Sequence, residues 1–491
     1  MTVNWNANRN LTMLLDFYEL TMSNGYLKRS MGDRVVVFDM FFRSIPDSGG
    51  FAIFAGLEQL IKYLEAMAFT DDDIEYLREK KIFDERFLQY LRGFKFVCDV
   101  WAFAEGTPVF PNEPMVVVRG PIIQAQLIET MLLLSINHQS LIATKANRIH
   151  RAAQGRPIME FGSRRAQGYD AAIFGARAAY IGGCVSTSCT FADREFGIPA
   201  VGTMAHSWVQ IFDTEYEAFE YYARLYPDNC TLLVDTYNVL TSGIPNAIKV
   251  FDEVLAPMGH RPKAVRIDSG DIAYLSKRSR EMLDAAGYPD VNIVATNALD
   301  EYIIRDLIVQ GARVDAFGVG EKLITSKSEP VFGGVYKLVA AQGEDGRYVP
   351  KIKFSETVEK ITTPGFKKAY RFFNRESGKA IADYITHHDE TVDPDQPITL
   401  FDPNAIWKKQ EVCGFELTEL LLPIFVGGKC VYTPPPLSDV RRYCLAQIDR
   451  LWVEVKRFEH PHRYYVDLSF KLWETKHKLL LEHNSKGRKQ P

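Results

Sequence analysis

Apolar positions in the first 150 residues change spacing several times. The spacing of apolar residues from Leu11 to Met22 predicts an amphipathic helix that ends near Gly25. The runs VVVFDMFF, FKFVCDVWAF and PMVVVRG predict strands, and helical spacing returns from Pro121 to Ala153. This mixture predicts an N-terminal α+β domain over residues 1–150.

A different pattern follows over residues 151–340. Short apolar runs recur there, each followed by a polar or glycine-containing turn and usually by a helical stretch. The predicted strands are PIMEF, IGGCVSTS, VGTMAHS, TLLVDT, KAVRIDSGD, VNIVATNA, VDAFGVG and VYKLVA. Eight alternating strands and helices predict parallel crossovers and a β/α barrel, irregular where the second and third runs lie close together. A doubly wound open sheet is the alternative.

The pattern changes again over residues 341–491. KIKFSETVEKITTPGFKKAYRFF predicts strands around a Pro-Gly turn, a helix follows the triple proline, and an amphipathic helix precedes a polar tail. We expect this region to pack on the first two. The predicted fold is α/β: an irregular β/α barrel with an additional α+β domain, built from the N-terminal part and a C-terminal extension. Three parts agree with 491 residues at about 150 per domain.

Charge and composition exclude several function classes. Lys and Arg total 58 against 62 Asp and Glu, so the net charge of −4 predicts no binding to nucleic acid or to an anionic membrane surface. The polar start MTVNWNANRN is unlike a signal peptide, and the most apolar run, LIETMLLLSI, is too short to span a bilayer. Seven scattered cysteines without a CxxC pair predict reduced thiols in a cytoplasmic protein, with neither disulfides nor a zinc site.

Candidate chemistry lies where the predicted barrel strands end, because barrel enzymes place their functional groups at the carboxyl ends of the strands. The residues at these ends are Phe161, Arg164, Ser188, His206, Asp235, Thr236, Arg266, Asp268, Asn297, Gly318 and Gly320. The set combines an aromatic ring, cations, an imidazole, carboxylates and glycines. The combination indicates a functional site, whereas each residue alone is a weak signal.

Two of the segments favour anion binding. FGVGEKLITS places Gly318 and Gly320 between a strand and a helix start, where backbone N–H groups are available to a phosphate. EFGSRRAQG places Phe161 and Arg164 after another strand, and an aromatic face with a guanidinium suits a flat ring bearing an acid. The alternatives are an ordinary glycine turn, a core phenylalanine and solvated arginines.

One imidazole and two carboxylates form the second candidate group. His206 lies in GTMAHSW, and Asp235 and Asp268 end neighbouring predicted strands. A carboxylate fixes the tautomer of an imidazole and raises its nucleophilicity. The alternatives are a structural histidine and helix N-caps, although Asp271 is the better cap after Asp268. The sequence contains no HExxH or GxSxG motif, so zinc hydrolysis and serine hydrolysis are not expected.

Ten segments in order resemble nicotinate phosphoribosyltransferases. They are LLDFYELTM, FDMFFRSIPDSGGFAIFAGLE, EGTPVFPNEP, EFGSRRAQG, GTMAHSW, LLVDTYN, RIDSGD, VDAFGVGEKLITS, ITTPGFKKAYR and WVEVKRFEHPHRYYVDLS, and they span about Leu11 to Leu480. The chain departs from the family at Leu15, where a threonine is usual. The resemblance implies a type II phosphoribosyltransferase that is a homodimer with shared active sites.

The resemblance also implies a reaction and roles for individual residues. Nicotinate would take the phosphoribosyl group of phosphoribosyl pyrophosphate with Mg²⁺, coupled to ATP hydrolysis through a phosphohistidine. His206 matches that histidine, Phe161 the aromatic that stacks on the pyridine ring, and Asp268 a ribose-side carboxylate. Gly318 and Gly320 match the 5′-phosphate loop. Further matches are the cationic positions Arg164 and Arg266 near the substrate phosphates and carboxylate, and Tyr18, which the partner subunit would contribute.

Three alternatives remain at this point. The same fold could use nicotinamide, the chain could be a catalytically silent binding homologue, or it could be an unrelated barrel aldolase or isomerase. A silent homologue is expected to have lost His206, Asp268 or the glycine pair, and all are present. An unrelated barrel enzyme would often use a strand-end lysine or a metal-binding His/Asp set, which the sequence does not show. The metal ligands are not identified by the sequence.

Overall fold

A computed structural model describes residues 10–357 and 360–487, with side chains up to residue 482. The described chain divides into two compact units. The first contains the residues up to Leu141 together with those from Val331 onward, and the second is Ile142–Pro330. The predicted domain limits at 150/151 and 340/341 stay predictions.

The N-terminal part of the first unit is α+β. Its strands are β1 (Val35–Phe41), β2 (Ala52–Ile53), β3 (Asp99–Ala102), β4 (Pro108–Val109) and β5 (Val116–Pro121). Its helices are α1 (Phe17–Lys28), α2 (Leu57–Ala66), α3 (Asp71–Glu79), α4 (Glu85–Arg92) and α5 (Ile122–Gln126), and α6 (Glu129–Ala152) begins in this unit and continues past Leu141 into the second. The first predicted helix is shorter at its start than expected, because Asp16 caps α1 in a reciprocal capping box with Glu19.

The second unit alternates strands and helices. Its strands are β6 (Ile158–Glu160), β7 (Ser186–Thr187), β8 (Thr231–Leu233), β9 (Ala264–Ile267), β10 (Asn292–Ala295) and β11 (Ala316–Val319). Its α-helices are α7 (Tyr169–Gly182), α8 (Thr190–Phe196), α9 (His206–Gln210), α10 (Glu215–Leu225), α11 (Ile244–Val250), α12 (Ile272–Ala285), α13 (Glu301–Val309) and α14 (Glu321–Ile324). All adjacent strands are parallel, in the order β7-β6-β11-β10-β9-β8. The predicted irregular β/α architecture is confirmed, in the form of a curled half-barrel of six parallel strands.

Two of the eight predicted barrel strands are wrong. In VGTMAHS, residues 201–205 form no strand, and the neighbouring Ala200 makes a single bridge to Thr187. Gly202 interrupts the predicted strand and weakens it, and the side chains of Thr203 and His206 bond groups at the strand ends instead. VYKLVA lies in the first unit, where its backbone pairs with β1 in an antiparallel sheet.

The C-terminal residues complete the first unit. Their strands are β12 (Val335–Gln342), β13 (Tyr348–Pro350), β14 (Lys367–Asn374), β15 (Ala380–His387), β16 (Ile398–Asp402), β17 (Ala405–Val412), β18 (Phe415–Glu419), β19 (Leu422–Val426), β20 (Lys429–Cys430) and β21 (Val466–Leu468), and their helices are α15 (Leu437–Asp449) and α16 (Phe470–Gly487). The main sheet has the order β13-β12-β1-β5-β3-β19-β20, so strands from both ends of the chain share one layer. This confirms that the N-terminal part and the C-terminal extension build one additional domain.

Each unit has its own apolar core. In the first unit the core lies on the main sheet and includes the fully buried Val37, Val117 and Phe425. In the second unit, Leu232, Val265 and Ile293 from adjacent parallel strands are buried together. Within the described part of the chain, we find no helix with the length and apolar character needed to cross a membrane.

Candidate active site

The carboxyl ends of β8, β9 and β10 bring the predicted catalytic side chains together. Asp235 follows β8, and Asp268 follows β9 directly. One carboxylate oxygen of Asp235 accepts hydrogen bonds from the Asp268 backbone N–H at 3.1 Å and from the Ser269 hydroxyl at 2.6 Å. Asp271 caps α12 by accepting the Tyr274 N–H at 3.0 Å, as predicted. Asp268 is therefore free of the capping role, and its carboxylate belongs to the site.

Arg266 is held on three sides by polar side chains. Its Nε donates to the Thr296 hydroxyl at 2.9 Å, Nη1 to the Thr203 hydroxyl at 3.0 Å, and Nη2 to the Asp268 carboxylate at 2.9 Å. The Thr296 hydroxyl also donates to Asp268. A guanidinium has five N–H donors, so one on each terminal nitrogen is available to a ligand. The arrangement presents a fixed, planar cation at the end of β9.

The ring of Phe161 lies beside this cation. The guanidinium carbon of Arg266 is 5.8 Å from the centre of the Phe161 ring. Gly318 makes room for the ring, since a Cβ at that position would be 2.6 Å from both Phe161 Cδ2 and Thr296 Cγ2. Gly320 is similarly close to the Phe161 backbone, at 2.9 Å from its carbonyl oxygen. The two predicted glycines thus shape the aromatic side of the site.

A buried carboxyl group supports the turn that carries Phe161. Glu160, the last residue of β6, is 1% exposed and accepts hydrogen bonds from the Gly162 N–H and, at 2.6 Å, from the Thr187 hydroxyl. Burial raises the pKa of Glu160 above its ordinary value, and the two hydrogen bonds oppose that rise. Glu160 therefore links the end of β6 to β7 and supports the turn that carries Phe161.

His206 is the first residue of α9 and lies between two strand ends. Its Nδ1 is 3.1 Å from the Thr236 hydroxyl after β8, and its Nε2 is 3.9 Å from the second carboxylate oxygen of Asp268. A carboxylate only accepts hydrogen bonds, so Asp268 favours the tautomer with the proton on Nε2. That tautomer has its lone pair on Nδ1, which can accept a hydrogen bond from Thr236.

Asn297 combines a strand-end position with an unusual backbone conformation. Its φ is +120°, a conformation that is rare for residues other than glycine. Its side-chain oxygen accepts the Ala298 N–H at 2.7 Å, and its backbone carbonyl accepts the Leu299 N–H at 2.8 Å. Backbone strain of this kind concentrates at functional sites.

The remaining predicted residues lie further from this cluster or in the other unit. Ser188 follows β7 and is exposed, and its backbone N–H donates to the Glu160 carbonyl at 2.8 Å. Arg164 is exposed in a short 3₁₀ turn after Phe161. Tyr18 lies on α1 of the first unit and is 42% exposed, and burial together with the Glu129 carboxylate raises the pKa of its hydroxyl.

Sequence reasoning did not identify Thr203, Thr296, Glu160 or Ser269 as site residues. Each lies beside or inside a segment that was singled out, so proximity to a strand end was the available signal. Their importance comes from hydrogen bonds that link one strand end to the next, and these depend on the side-chain geometry of the fold.

Asp235 and Asp268 offer oxygen ligands suitable for Mg²⁺. The Asp235 oxygen that does not bond Ser269 is buried without a hydrogen-bond partner. Among the described residues, no group of three or more His, Cys, Asp or Glu is arranged to hold a metal ion. Mg²⁺ commonly binds through one or two carboxylates together with water and substrate phosphates. The carboxylate pair fits that mode of binding.

Comparison with known proteins places this site in a family context. The family models for the nicotinate phosphoribosyltransferase N-terminal and C-terminal domains match residues 13–137 and 366–476. The nicotinate phosphoribosyltransferase of Bacillus subtilis is 44% identical over 478 residues, which cover 97% of this chain and 96% of that protein.

Solved structures show the same architecture. The crystal structure of human nicotinic acid phosphoribosyltransferase matches with a TM-score of 0.84 and 28% identity, covering 94% of this chain and 99% of that one. The nicotinate-nucleotide pyrophosphorylase structure from Pyrococcus furiosus shares the fold, with a TM-score of 0.70, 24% identity, and coverage of 92% and 99%. On this evidence, the chain belongs to the nicotinate phosphoribosyltransferase family, enzymes of NAD biosynthesis.

Proposed function

We propose that this enzyme transfers the phosphoribosyl group of phosphoribosyl pyrophosphate to nicotinate, and that it couples this transfer to ATP hydrolysis through phosphorylated His206. The observation that carries the proposal is the fixed guanidinium of Arg266 beside the Phe161 ring, 2.9 Å from the Asp268 carboxylate. Nicotinate is a flat aromatic acid, so it needs an aromatic face and a cation held side by side.

The base would bind between Phe161 and Arg266. The pyridine ring would stack on Phe161, and its carboxylate would accept the two remaining guanidinium N–H groups. Thr296, Thr203 and Asp268 hold the guanidinium before the substrate arrives. Such preorganisation lowers the cost of ordering the site on binding. Nicotinamide has no negative charge to satisfy Arg266, so we expect it to bind more weakly.

The transfer is a displacement at the anomeric carbon of the ribose. The pyridine nitrogen forms a bond to C1′ while the bond from C1′ to the pyrophosphate oxygen breaks, and the electron pair leaves with pyrophosphate. Positive charge develops on the sugar, and the carboxylates of Asp235 and Asp268 would stabilise it. Gly318 and Gly320 would receive the 5′-phosphate, as the family resemblance implies, with Arg164, Ser188 and Asn297 as further substrate contacts.

Mg²⁺ would be held by Asp235 and Asp268 and, when bound, would neutralise negative charge on the leaving pyrophosphate. The carboxylates must remain deprotonated for that role. The Asp268 N–H and the Ser269 hydroxyl bond one oxygen of Asp235, which leaves its other oxygen for the ion.

ATP would phosphorylate His206. The lone pair of one imidazole nitrogen of His206 attacks the γ-phosphorus of ATP, the bond to the bridging oxygen breaks, and ADP leaves. Water later hydrolyses the N–P bond and releases inorganic phosphate. Thr236 holds Nδ1 at 3.1 Å and Asp268 lies 3.9 Å from Nε2, so the ring is oriented from both sides.

Purified protein with Mg²⁺, ATP and phosphoribosyl pyrophosphate tests the proposal. Nicotinate should yield nicotinate mononucleotide and pyrophosphate, and nicotinamide should be turned over far more slowly. Equal or faster use of nicotinamide would contradict the acid assignment. His206→Ala should abolish nicotinate-stimulated ATP hydrolysis and acid-labile phosphorylation while keeping some ATP-independent transfer. Full ATP coupling in that variant would contradict the phosphohistidine.

We further propose a homodimer with shared active sites, in which Tyr18 of one subunit serves the site of its partner. Tyr18 is partly exposed on α1, and its neighbour Glu19 is completely buried. Only one side of this helix start is therefore covered within its own unit, which leaves the tyrosine accessible to a second copy.

A further inference from the structure

We propose that Thr203 is a positioning residue that links the state of His206 to the base-binding cation Arg266. This inference rests on the proposed function, because it assigns a route by which ATP use and nicotinate binding influence each other. Nothing in the reaction itself requires Thr203, and its role emerges from the hydrogen bonds of the second unit.

The Thr203 hydroxyl lies between the histidine segment and the guanidinium. It accepts a hydrogen bond from Arg266 Nη1 at 3.0 Å and donates to the Met204 carbonyl at 3.2 Å. Met204 is 5% exposed and packs in the apolar core of the second unit. The Thr203 hydroxyl is thus held by the backbone of its own segment, so a displacement of that segment would also move the hydrogen bond to Arg266.

A second contact joins the same two partners. His206, three residues after Thr203, has its Nε2 3.9 Å from Asp268, and the other oxygen of Asp268 accepts from Arg266 Nη2 at 2.9 Å. Arg266 is therefore connected to the histidine segment in two ways. One terminal nitrogen bonds Thr203, and the other bonds Asp268, which lies near His206. Because the guanidinium is a rigid plane, the two contacts cannot change independently.

The backbone on the Gly202 side of Thr203 has room to adjust, whereas Met204 anchors the other side. Residues 201–205 form neither helix nor strand. The backbone of Gly202 has open space around it, since an added Cβ would have no heavy atom within 4 Å. A change of charge on His206 can therefore shift Thr203 without disturbing a sheet or a helix.

Phosphorylation supplies such a change of charge. A phosphoryl group on His206 adds negative charge close to the Asp268 carboxylate and repels it. Asp268 and Thr203 would both adjust, and Arg266, bonded to both, would adjust with them. By linkage, nicotinate bound to Arg266 must then change the energetics of phosphorylating His206 to the same extent. The response of the ATP hydrolysis rate to nicotinate is the readout of this connection.

The test removes the hydroxyl and keeps the shape. Thr203→Val has nearly the same volume, Thr203→Ser restores the hydroxyl, and Thr241→Val is a matched control at an exposed threonine of the same unit. Two quantities are measured with nicotinate, phosphoribosyl pyrophosphate and ATP: the KM for nicotinate, and the ratio of ATP hydrolysis rates with and without nicotinate.

We expect Thr203→Val to raise the KM for nicotinate about tenfold, the effect of losing one hydrogen bond to a charged group. In this variant the ratio of ATP hydrolysis rates with and without nicotinate should fall close to 1. Thr203→Ser and Thr241→Val should resemble the wild type. A Thr203→Val enzyme that keeps the wild-type stimulation overturns the inference, whether or not its KM rises. Thr203→Ala is measured in parallel, so that poor folding of the valine variant does not decide the result.

The two proposals fail differently. If the wild type makes no nicotinate mononucleotide, the proposed function is wrong. If the wild type makes it and both hydroxyl-deleting variants show normal stimulation, the link through Thr203 is wrong and the proposed function stands.

Discussion

Gly318→Ala is expected to weaken binding of the base more than binding of the sugar phosphate. The added Cβ would lie 2.6 Å from both Phe161 Cδ2 and Thr296 Cγ2, whereas carbon atoms pack at about 3.5–4.0 Å. The methyl group therefore overlaps both neighbours by roughly 1 Å. Phe161 forms the aromatic face and Thr296 bonds Arg266, so neither can give way without moving the aromatic face or the support of Arg266.

The size of the effect follows from the cost of overpacking. Forcing one extra methyl group into a filled space costs about 1–3 kcal/mol. If all of that cost is lost from the free energy of nicotinate binding, the KM for nicotinate rises by roughly 5- to 150-fold. Part of the cost will appear as a lower melting temperature, because the same contacts exist without substrate.

Steady-state formation of nicotinate mononucleotide measures both substrates separately. We expect the KM for nicotinate to rise more than the KM for phosphoribosyl pyrophosphate. Gly93→Ala is the control, since its added Cβ would meet its nearest neighbour at an ordinary 3.6 Å. Phe161→Leu in the Gly318→Ala background should recover thermal stability and leave nicotinate binding weak.

An unchanged KM for nicotinate with an unchanged melting temperature would refute the reasoning, because the methyl group would then have found space. A rise confined to the KM for phosphoribosyl pyrophosphate would show that Gly318 acts on the phosphate alone and leaves the aromatic face undisturbed.

Three further predictions follow from other parts of the chain. Poorly active Tyr18→Ala and Arg164→Ala proteins, dissociated and mixed equally, should recover roughly a quarter of the sites if subunits share them, and no recovery with subunit exchange confirmed by mass spectrometry would exclude sharing. Burial raises the pKa of Glu19 to about 7 from an ordinary 4.5, so the folded state binds this proton more tightly than the unfolded state. The free energy of unfolding should therefore fall by about 3 kcal/mol as pH rises from below 4.5 to above 7, and Glu19→Gln should flatten this profile in urea titrations; an unaltered profile would contradict the assignment. Asp235→Asn should raise the Mg²⁺ concentration needed for half-maximal rate at least about tenfold, and an unchanged requirement would remove Asp235 from the metal site.

The sequence alone determined the local features of the site. Strand-then-turn patterns located Asp235 and Asp268 after their strands, because apolar runs of that length are buried in a sheet and the polar residues after them lie at its carboxyl edge. Gly318, predicted between a strand and a helix start, lies inside β11 instead. The cap at Asp271 was also predictable, since an N-cap depends on residues only three positions apart. The family resemblance added the substrates and the roles.

Tertiary structure decided which of these residues meet. No spacing along the chain indicates that Thr203 and Thr296, 93 positions apart, both bond Arg266. The same limit explains the two wrong strands. GTMAHSW has strand-like composition, but Gly202 weakens a strand, and the side chains of Thr203 and His206 bond strand ends that are distant in the sequence. VYKLVA looks the same in a parallel barrel strand as in β12, and only its partner β1, some 300 residues earlier in the chain, determines where it pairs.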